Sequence, residues 1–269
     1  MEKRMIQPRI CQTLIVATAS LFLMATATAN LSAQTKPPVP IKNVVLVHGA
    51  WADGSCWSKI IPLLEAKGLH VVAVQNPLTS LADDVAAVKR AIALQEGPVL
   101  LVGHSYGGAV ITEAGNDPKV VGLVYVAAFA PAEGESAAST GHAYPPTPLL
   151  SELRPDAEGF LTITPKGVAE DFAQDLTPGE IRLVTATQGP ISGGAAFGGK
   201  ITQAAWKYKP TWFVIASNDR AIPPDLEKAE AAEMKATSIT LASSHLPMLS
   251  HPNEVAALIE QAAAQGGTK

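Results

Sequence analysis

The stretch "LLVGHSYGGAVI", residues 100–111, places a serine between glycines at the point where an apolar run ends. Residues 100–102 are typical of the end of a buried strand, and residues 109–111 are typical of the apolar side of a helix. Between them, residues 103–107 match the pattern G-x-S-x-G. This pattern predicts a sharp turn from strand to helix, in which the glycines relieve crowding beside a strained residue. We expect Ser105 at the apex, with its hydroxyl projecting into solvent as a candidate nucleophile.

Apolar runs alternate with amphipathic segments along most of the chain. Strands are predicted at 43–47, 69–74, 99–102, 120–126, 211–216 and 238–242, and helices at 55–67, 81–96, 106–114, 224–234 and 255–264. Strands that alternate with helices of this length indicate a mostly parallel sheet that is covered on both faces. We therefore predict one doubly wound α/β domain, with its core at 43–130 and 210–269.

The segment 131–209 breaks this alternation. It is rich in Pro, Gly, Ser and Thr, and its helical pattern is limited to patches near 167–175 and 180–187. A long interruption inside a compact domain favours a cap or lid over a site, and a disordered insert is the alternative.

The N-terminal residues have the layout of a secretory signal peptide. Basic residues precede an uncharged stretch from Ile10 to Ala29, and small residues follow it. We predict a signal peptide over residues 1–33, cleaved after Ala29 or Ala33, and a linker over 34–42. An uncleaved membrane anchor is the alternative, but the stretch is only weakly apolar. The predicted location is therefore secreted or periplasmic, with no stable membrane association after cleavage.

Composition and charge indicate a large core and give no indication of a nucleic acid partner or an internal disulfide. Hydrophobic residues form 47% of the 269 residues, which suffices for a large core, and the net charge of -4 gives no reason to expect a nucleic acid partner. Cys11 leaves with the signal peptide, so Cys56 would have no intrachain disulfide partner. The oligomeric state is not indicated.

A nucleophilic serine needs a base and an acid that holds the base, and both have candidates after strands. His245 follows the strand 238–242, and Asp219 follows the strand 211–216. Because catalytic groups gather beyond the carboxyl ends of parallel strands, Ser105, Asp219 and His245 are predicted to form a catalytic triad. Glu133 and Glu135, which follow the strand 120–126, are the alternative acids.

Oxyanion stabilisation needs two amide donors near the serine. The N–H of Tyr106, which follows the nucleophile, is one candidate, and the N–H of Ala50 in the loop after the first strand is the other. Trp51, Phe197 and Trp206 are predicted to bind substrate, which favours a small or medium, largely uncharged molecule.

One motif competes with this interpretation, and the motifs of two cofactor classes are absent from the sequence. Residues 194–200 match the phosphate-binding pattern G-x-x-x-x-G-K, but Ile201 stands where Ser or Thr should bind Mg²⁺, and no convincing strand precedes the motif. A flexible loop is the better interpretation. The chain has neither a clustered set of metal-ligating residues nor G-x-G-x-x-G after a strand, so neither a metal nor another cofactor is predicted.

Four motifs together resemble one family. "VVLVHGAW" at 44–51, "GHSYGG" at 103–108, "NDRAIPP" at 218–224 and "SSHLPMLSHP" at 243–252 are similar to the α/β-hydrolase superfamily, and to its small esterase group of salicylate methylesterases, hydroxynitrile lyases and bacterial relatives. The resemblance covers residues 41–264. It implies an α/β-hydrolase fold with a cap inserted after the sixth strand, the triad and amide donors named above, and no cofactor.

The resemblance also distinguishes reactions within that group. Its lyases typically carry Thr in the oxyanion loop and Lys directly after the catalytic His, whereas this chain has Ala50 and Leu246 there. We therefore expect a carboxylic-ester hydrolase that acts through an acyl-enzyme on a small-molecule ester. Hydroxynitrile lyase-like or perhydrolase activity on the same triad, or a non-catalytic ligand-binding homologue, are the alternatives.

Overall fold

The structure, a computed structural model, describes residues 41–265. The predicted signal peptide at 1–33 lies outside these residues, as do all but the last two positions of the predicted linker at 34–42. No helix within the described range is both long and apolar enough to cross a membrane.

In chain order the strands of the described residues are β1 (Asn43–Val47), β2 (His70–Val74), β3 (Val99–Ser105), β4 (Val120–Ala128), β5 (Leu153–Pro155), β6 (Phe160–Ile163), β7 (Ile191–Ser192), β8 (Thr211–Ala216) and β9 (Thr237–Leu241). Six of them form the parallel sheet at the centre of the domain, in the order β2-β1-β3-β4-β8-β9. All six predicted strands are present in this sheet. Every residue of β3 is buried, as expected for an inner strand covered on both faces.

Helices flank the central sheet and also occur within the segment 131–209. They are α1 (Ile61–Glu65), α2 (Leu81–Ala93), α3 (Tyr106–Ala114), α4 (Ala137–Thr140), α5 (Pro165–Gly167), α6 (Pro178–Thr187), α7 (Pro224–Glu233), α8 (Pro247–Ser250) and α9 (Pro252–Gln265). Shorter 3-10 turns lie at Gly54–Trp57, Gly141–Ala143, Pro148–Glu152 and Ala205–Lys207, and π-helical turns at Val168–Phe172 and Gly193–Phe197.

The helix predicted over 55–67 is instead two short pieces. The Asp53 carboxylate accepts a hydrogen bond from the Ser55 amide at 2.7 Å and caps the 3-10 turn, and α1 begins only at Ile61. Pro62 explains the break, because a proline has no N–H to donate to the preceding turn and its ring clashes with the carbonyl four residues earlier.

The segment 131–209 follows β4, the fourth strand of the central sheet along the chain, so its predicted place after the sixth strand is wrong. Within residues 41–265, four strands of that sheet precede the segment, and β8 and β9 come after it. The segment contains α4 to α6 and a three-stranded antiparallel sheet, β5-β6-β7. The sequence pattern predicted the helical patches but not this second sheet.

Candidate active site

Ser105 is the last residue of β3, and α3 begins at the next residue. Its φ of 54° and ψ of -125° lie in a region that residues other than glycine rarely adopt. A Cβ at Gly107 would lie 2.5 Å from the carbonyl oxygen of Val47, and one at Gly103 would lie 2.6 Å from the carbonyl oxygen of Gly107. The expectation that glycines relieve crowding at this turn is therefore confirmed.

Ser105 does not project into bulk solvent. The residue is only 4% exposed, because the segment 131–209 supplies most of the wall around it. The serine instead lines a cavity of about 300 Å³. A buried hydroxyl of this kind can be reached only by a molecule that enters the cavity.

The structure brings Asp219 and His245 together. Asp219 lies in the loop after β8, His245 lies in the loop after β9, and the distance from His245 Nδ1 to Asp219 Oδ2 is 2.5 Å. The other carboxylate oxygen accepts hydrogen bonds from the amides of Ala221 at 2.7 Å and Ile222 at 2.9 Å. Both side chains are fully buried. Three donors therefore fix the orientation of the Asp219 carboxylate.

The second ring nitrogen of His245 is available for chemistry. With Nδ1–H donated to Asp219, Nε2 carries the lone pair. Nε2 is buried and has no hydrogen-bond partner among residues 41–265, and His245 lines the same cavity as Ser105. An imidazole held in this way can accept a proton from a hydroxyl in the cavity.

The alternative acids lie elsewhere. Glu133 forms an ion pair with Lys207, and its carboxylate also accepts the amide hydrogen bond of Ala204. Glu135 accepts the amide hydrogen bond of Ala132, four residues after the end of β4. Both carboxylates therefore bond to residues of the inserted segment 131–209 and not to His245.

The loop after β1 packs directly against the serine turn. A Cβ at Gly49 would lie 2.6 Å from the Cβ of Ser105, so this loop and the turn are in van der Waals contact. His48 holds the loop, since its Nε2 accepts the Asn76 amide at 2.9 Å and its Nδ1 donates to the carbonyl oxygen of Gly49 at 2.9 Å. Burial lowers the pKa of His48, which keeps the ring neutral for both bonds. Ala50, fully buried, follows in this loop.

Tyr106 is anchored by a buried carboxylate that the sequence analysis did not identify. The Tyr106 hydroxyl donates to Asp84 Oδ2 at 2.7 Å, and Asp84 Oδ1 accepts the Leu78 amide at 2.8 Å. Burial raises the pKa of Asp84 to about 6. The sequence does indicate that Asp84 is buried, because Asp84 lies three residues after Leu81 and four before Val88, on the apolar stripe of α2.

Two of the three predicted substrate-binding residues line the cavity. Trp51 and Phe197 do so, and their ring centroids are 5.7 Å apart. Trp206 does not, so the structure does not support its predicted role in this cavity. Trp206 is buried where the inserted segment rejoins the core, and its indole N–H donates to the carbonyl oxygen of Pro131 at 3.2 Å. Phe172, which the sequence analysis missed, packs on His245 with a centroid distance of 5.0 Å.

The inserted segment and the loop after β1 are joined by a hydrogen bond. The indole N–H of Trp51 donates to the carbonyl oxygen of Leu161 in β6 at 2.9 Å. The φ of Trp51 is 54°, a conformation that non-glycine residues seldom adopt. The tie to β6 therefore helps to hold this loop in a strained form.

The remaining cavity wall is largely apolar. It is lined by Phe129, Ala137, Ala138, Gly141, His142, Pro145, Pro146, Thr147, Leu149, Leu150, Leu153, Leu161, Gly193, Ala221, Ile222 and Pro223. No Asp, Glu, Lys or Arg side chain is among the described residues that line it. The cavity therefore suits an uncharged molecule, since a charged one would lose its hydration without gaining an ionic partner.

Comparison with known proteins gives consistent matches. A sequence profile described as "Alpha/beta hydrolase family" matches residues 44–258. A pyrethroid hydrolase from Sphingobium wenxiniae is 26% identical over 253 residues, which cover 81% of this chain and 86% of that protein. Methylesterase 7 from Arabidopsis thaliana is 25% identical over 262 residues, which cover 81% of this chain and 95% of that protein. The crystal structure of a pyrethroid hydrolase from Sphingobium faniae JZ-2 matches with a TM-score of 0.71 at 24% identity, covering 83% of this chain and 98% of that chain.

Proposed function

The chain belongs to the α/β hydrolase family, and from this premise we propose that it hydrolyses uncharged carboxylic esters through an acyl-enzyme formed on Ser105. The observation that carries the proposal is the state of His245. One ring nitrogen is bound to Asp219, while the other is unbonded within the described structure and belongs to the wall of the cavity that holds Ser105.

The first half of the reaction forms the acyl-enzyme. Ser105 Oγ attacks the ester carbonyl carbon while His245 Nε2 takes the hydroxyl proton. The negative charge that develops on the carbonyl oxygen is stabilised by the amides of Ala50 and Tyr106. The Tyr106 amide is free for this role because the first N–H groups of a helix have no partner within the helix. The intermediate then collapses, and His245 returns the proton to the departing alkoxide.

The second half releases the acid. Water attacks the carbonyl carbon of the acyl group on Ser105, and His245 Nε2 accepts a proton from that water. Collapse of the second tetrahedral intermediate breaks the bond to Ser105 Oγ, which recovers its proton from His245. The products are one alcohol and one carboxylic acid for each ester and water consumed.

The cavity supports the substrate class. Its volume of about 300 Å³ and its largely apolar wall suit a small to medium ester with an apolar acyl or alcohol group. The names of the relatives, a pyrethroid hydrolase and a methylesterase, support hydrolysis of an ester of a small molecule. Leu246 is buried and apolar beside His245, so no cation is available there to stabilise a departing cyanide, which favours hydrolysis over lyase chemistry.

The serine substitution tests this proposal. We expect Ser105→Ala to lower kcat for p-nitrophenyl butyrate by roughly a thousandfold or more, with an unchanged circular dichroism spectrum. An organophosphonate should label the wild type at Ser105 and leave the variant unlabelled. Ser238→Ala, which removes an exposed hydroxyl on β9, is the matched control and should keep wild-type turnover. A wild type that is neither active nor labelled would favour the non-catalytic alternative and reject the proposal.

A further inference from the structure

Glu227 on α7 is a fully buried carboxyl group that the mechanism above does not use. Its Oε2 accepts a hydrogen bond from the Ala216 amide at 2.9 Å. Ala216 ends β8, and its carbonyl oxygen accepts the Asp219 amide at 3.2 Å. Glu227 is therefore bonded to the strand end from which the loop bearing Asp219 begins.

The Asp219 carboxylate neighbours the side chain of Glu227. Oε1 of Glu227 is buried and has no hydrogen-bond partner among residues 41–265, and Asp219 lies close enough to raise the pKa of Glu227. Two carboxylates that share a buried space cannot both be charged without a large electrostatic cost. One of the two must hold a proton at neutral pH.

The donors around the pair decide which carboxyl group keeps its charge. Asp219 accepts three hydrogen bonds, from His245, Ala221 and Ile222, whereas Glu227 accepts one. Among residues 41–265, the titratable groups that act on Glu227 are Asp219 and, on the same helix, Glu230, and neither is a cation that could offset a charge there. Burial, together with the neighbouring Asp219, raises the pKa of Glu227 well above its usual range. The proton therefore resides on Glu227.

We propose that Glu227 is a positioning residue, a protonated acid whose O–H donates to the Asp219 carboxylate and so holds it for His245. This inference rests on the proposed function, in which Asp219 holds the base. In that role the Glu227 O–H is a fourth donor to Asp219, and it withdraws part of the negative charge that the imidazolium of His245 would otherwise meet. The proton stays on Glu227 throughout the reaction.

Two substitutions distinguish a protonated Glu227 from an ionised one. Glu227→Gln keeps a donor toward Asp219 and an acceptor for Ala216, so a protonated acid predicts an unchanged acidic limb of the kcat/KM profile. Glu227→Met removes the donor and leaves Asp219 with its full charge, so the acidic limb should move to higher pH by roughly half a pH unit or more. Glu230→Gln, on the same helix, is the matched control and should leave the acidic limb unchanged.

The opposite results overturn the inference. An ionised Glu227 predicts that Glu227→Gln moves the acidic limb to lower pH, because a negative charge is lost near His245. A Glu227→Met profile that superposes on the wild type would remove the positioning role. Should Glu227→Met fail to fold, Glu227→Leu replaces it, because it likewise removes the donor toward Asp219. The same comparison can be made without turnover, in each variant combined with Ser105→Ala. The measurement follows the low-field proton resonance of the His245–Asp219 hydrogen bond against pH. Because this readout does not depend on ester hydrolysis, a failure of that proposal is recognised separately.

Discussion

Glu230 is predicted to make this protein less stable as the pH rises from acidic to mildly alkaline values. The side chain lies on α7, is 7% exposed, and has no cationic partner among the residues that the structure describes. Burial is the main cause that raises the pKa of Glu230 from 4.5 to about 8, and the nearby Glu135 and Glu233 add to it. The folded chain therefore holds a proton in a range in which the unfolded chain has released it.

The size of the effect follows from linkage. Below pH 4.5 both states hold the proton, and above pH 8 neither does, so the loss of stability occurs between these values as the pH rises. Each pH unit in this window costs about 1.4 kcal/mol of the free energy of unfolding. Glu230→Gln removes the titration while keeping the size of the side chain. The free energy of unfolding of Glu230→Gln minus that of the wild type should increase by on the order of 4 kcal/mol between pH 5 and pH 8.

Urea denaturation of both proteins at half-unit steps of pH measures this difference. Every other titrating group is common to both chains, so the gap between the two curves isolates Glu230. Glu65→Gln, at an exposed position on α1, should follow the wild-type slope and serves as the control. Wild-type and Glu230→Gln curves that remain parallel over this range would refute the argument that burial keeps Glu230 protonated.

Three further outcomes are expected elsewhere in the chain. Tyr106→Phe leaves the buried Asp84 with one fewer hydrogen-bond donor and should cost about 1–3 kcal/mol in urea denaturation, so an unchanged midpoint would contradict the role of that bond. Gly107→Ala would place a Cβ 2.5 Å from the last carbonyl oxygen of β1 and should lower the melting temperature by roughly 10 °C or prevent folding, whereas a variant of wild-type stability would show that the turn can relax. N-terminal sequencing of the exported protein should find cleavage after Ala29 or Ala33, and an intact N-terminus in the membrane fraction would favour the anchor instead.

The central sheet could be predicted because local and tertiary preferences agree there. β1, β3 and β8 are continuous apolar runs that end at Gly or polar residues, which is how buried parallel strands differ from surface segments. The same agreement explains why Asp219 and His245 could be predicted as site residues, since each lies just beyond a strand whose end was recognisable.

The second sheet was missed because its strands are short and only partly buried. The hairpin of β5 and β6 turns at residues 156–159, where Asp156 accepts amide hydrogen bonds and Gly159 has a φ of 81°. An Asp and a Gly at this spacing signal a turn, but the flanking strands of three and four residues have too little alternation to stand out. Their pairing depends on the surrounding segment rather than on their own pattern.

Buried acids were the other omission. Asp84, Glu227 and Glu230 occupy buried helix positions, yet acidic residues are almost always expected on exposed faces. Their burial is possible because amides, a tyrosine hydroxyl or a retained proton compensate for the lost hydration. The hydrogen-bonding partners lie outside the helix that carries the acid, 6 to 22 residues away along the chain, so the helix pattern does not reveal them. Trp206 shows the reverse error, since its apolar character was assigned to a substrate surface whereas it packs at the junction with the core.

The hydrogen bond from the Trp51 indole to Leu161 limits how the inserted segment can be exchanged. A chimera that replaced this segment with the corresponding part of another protein would also remove the acceptor that steadies the loop bearing Ala50. Substrate range and reaction rate would then change together, so engineering of the binding cavity has to retain a carbonyl group at the position of Leu161.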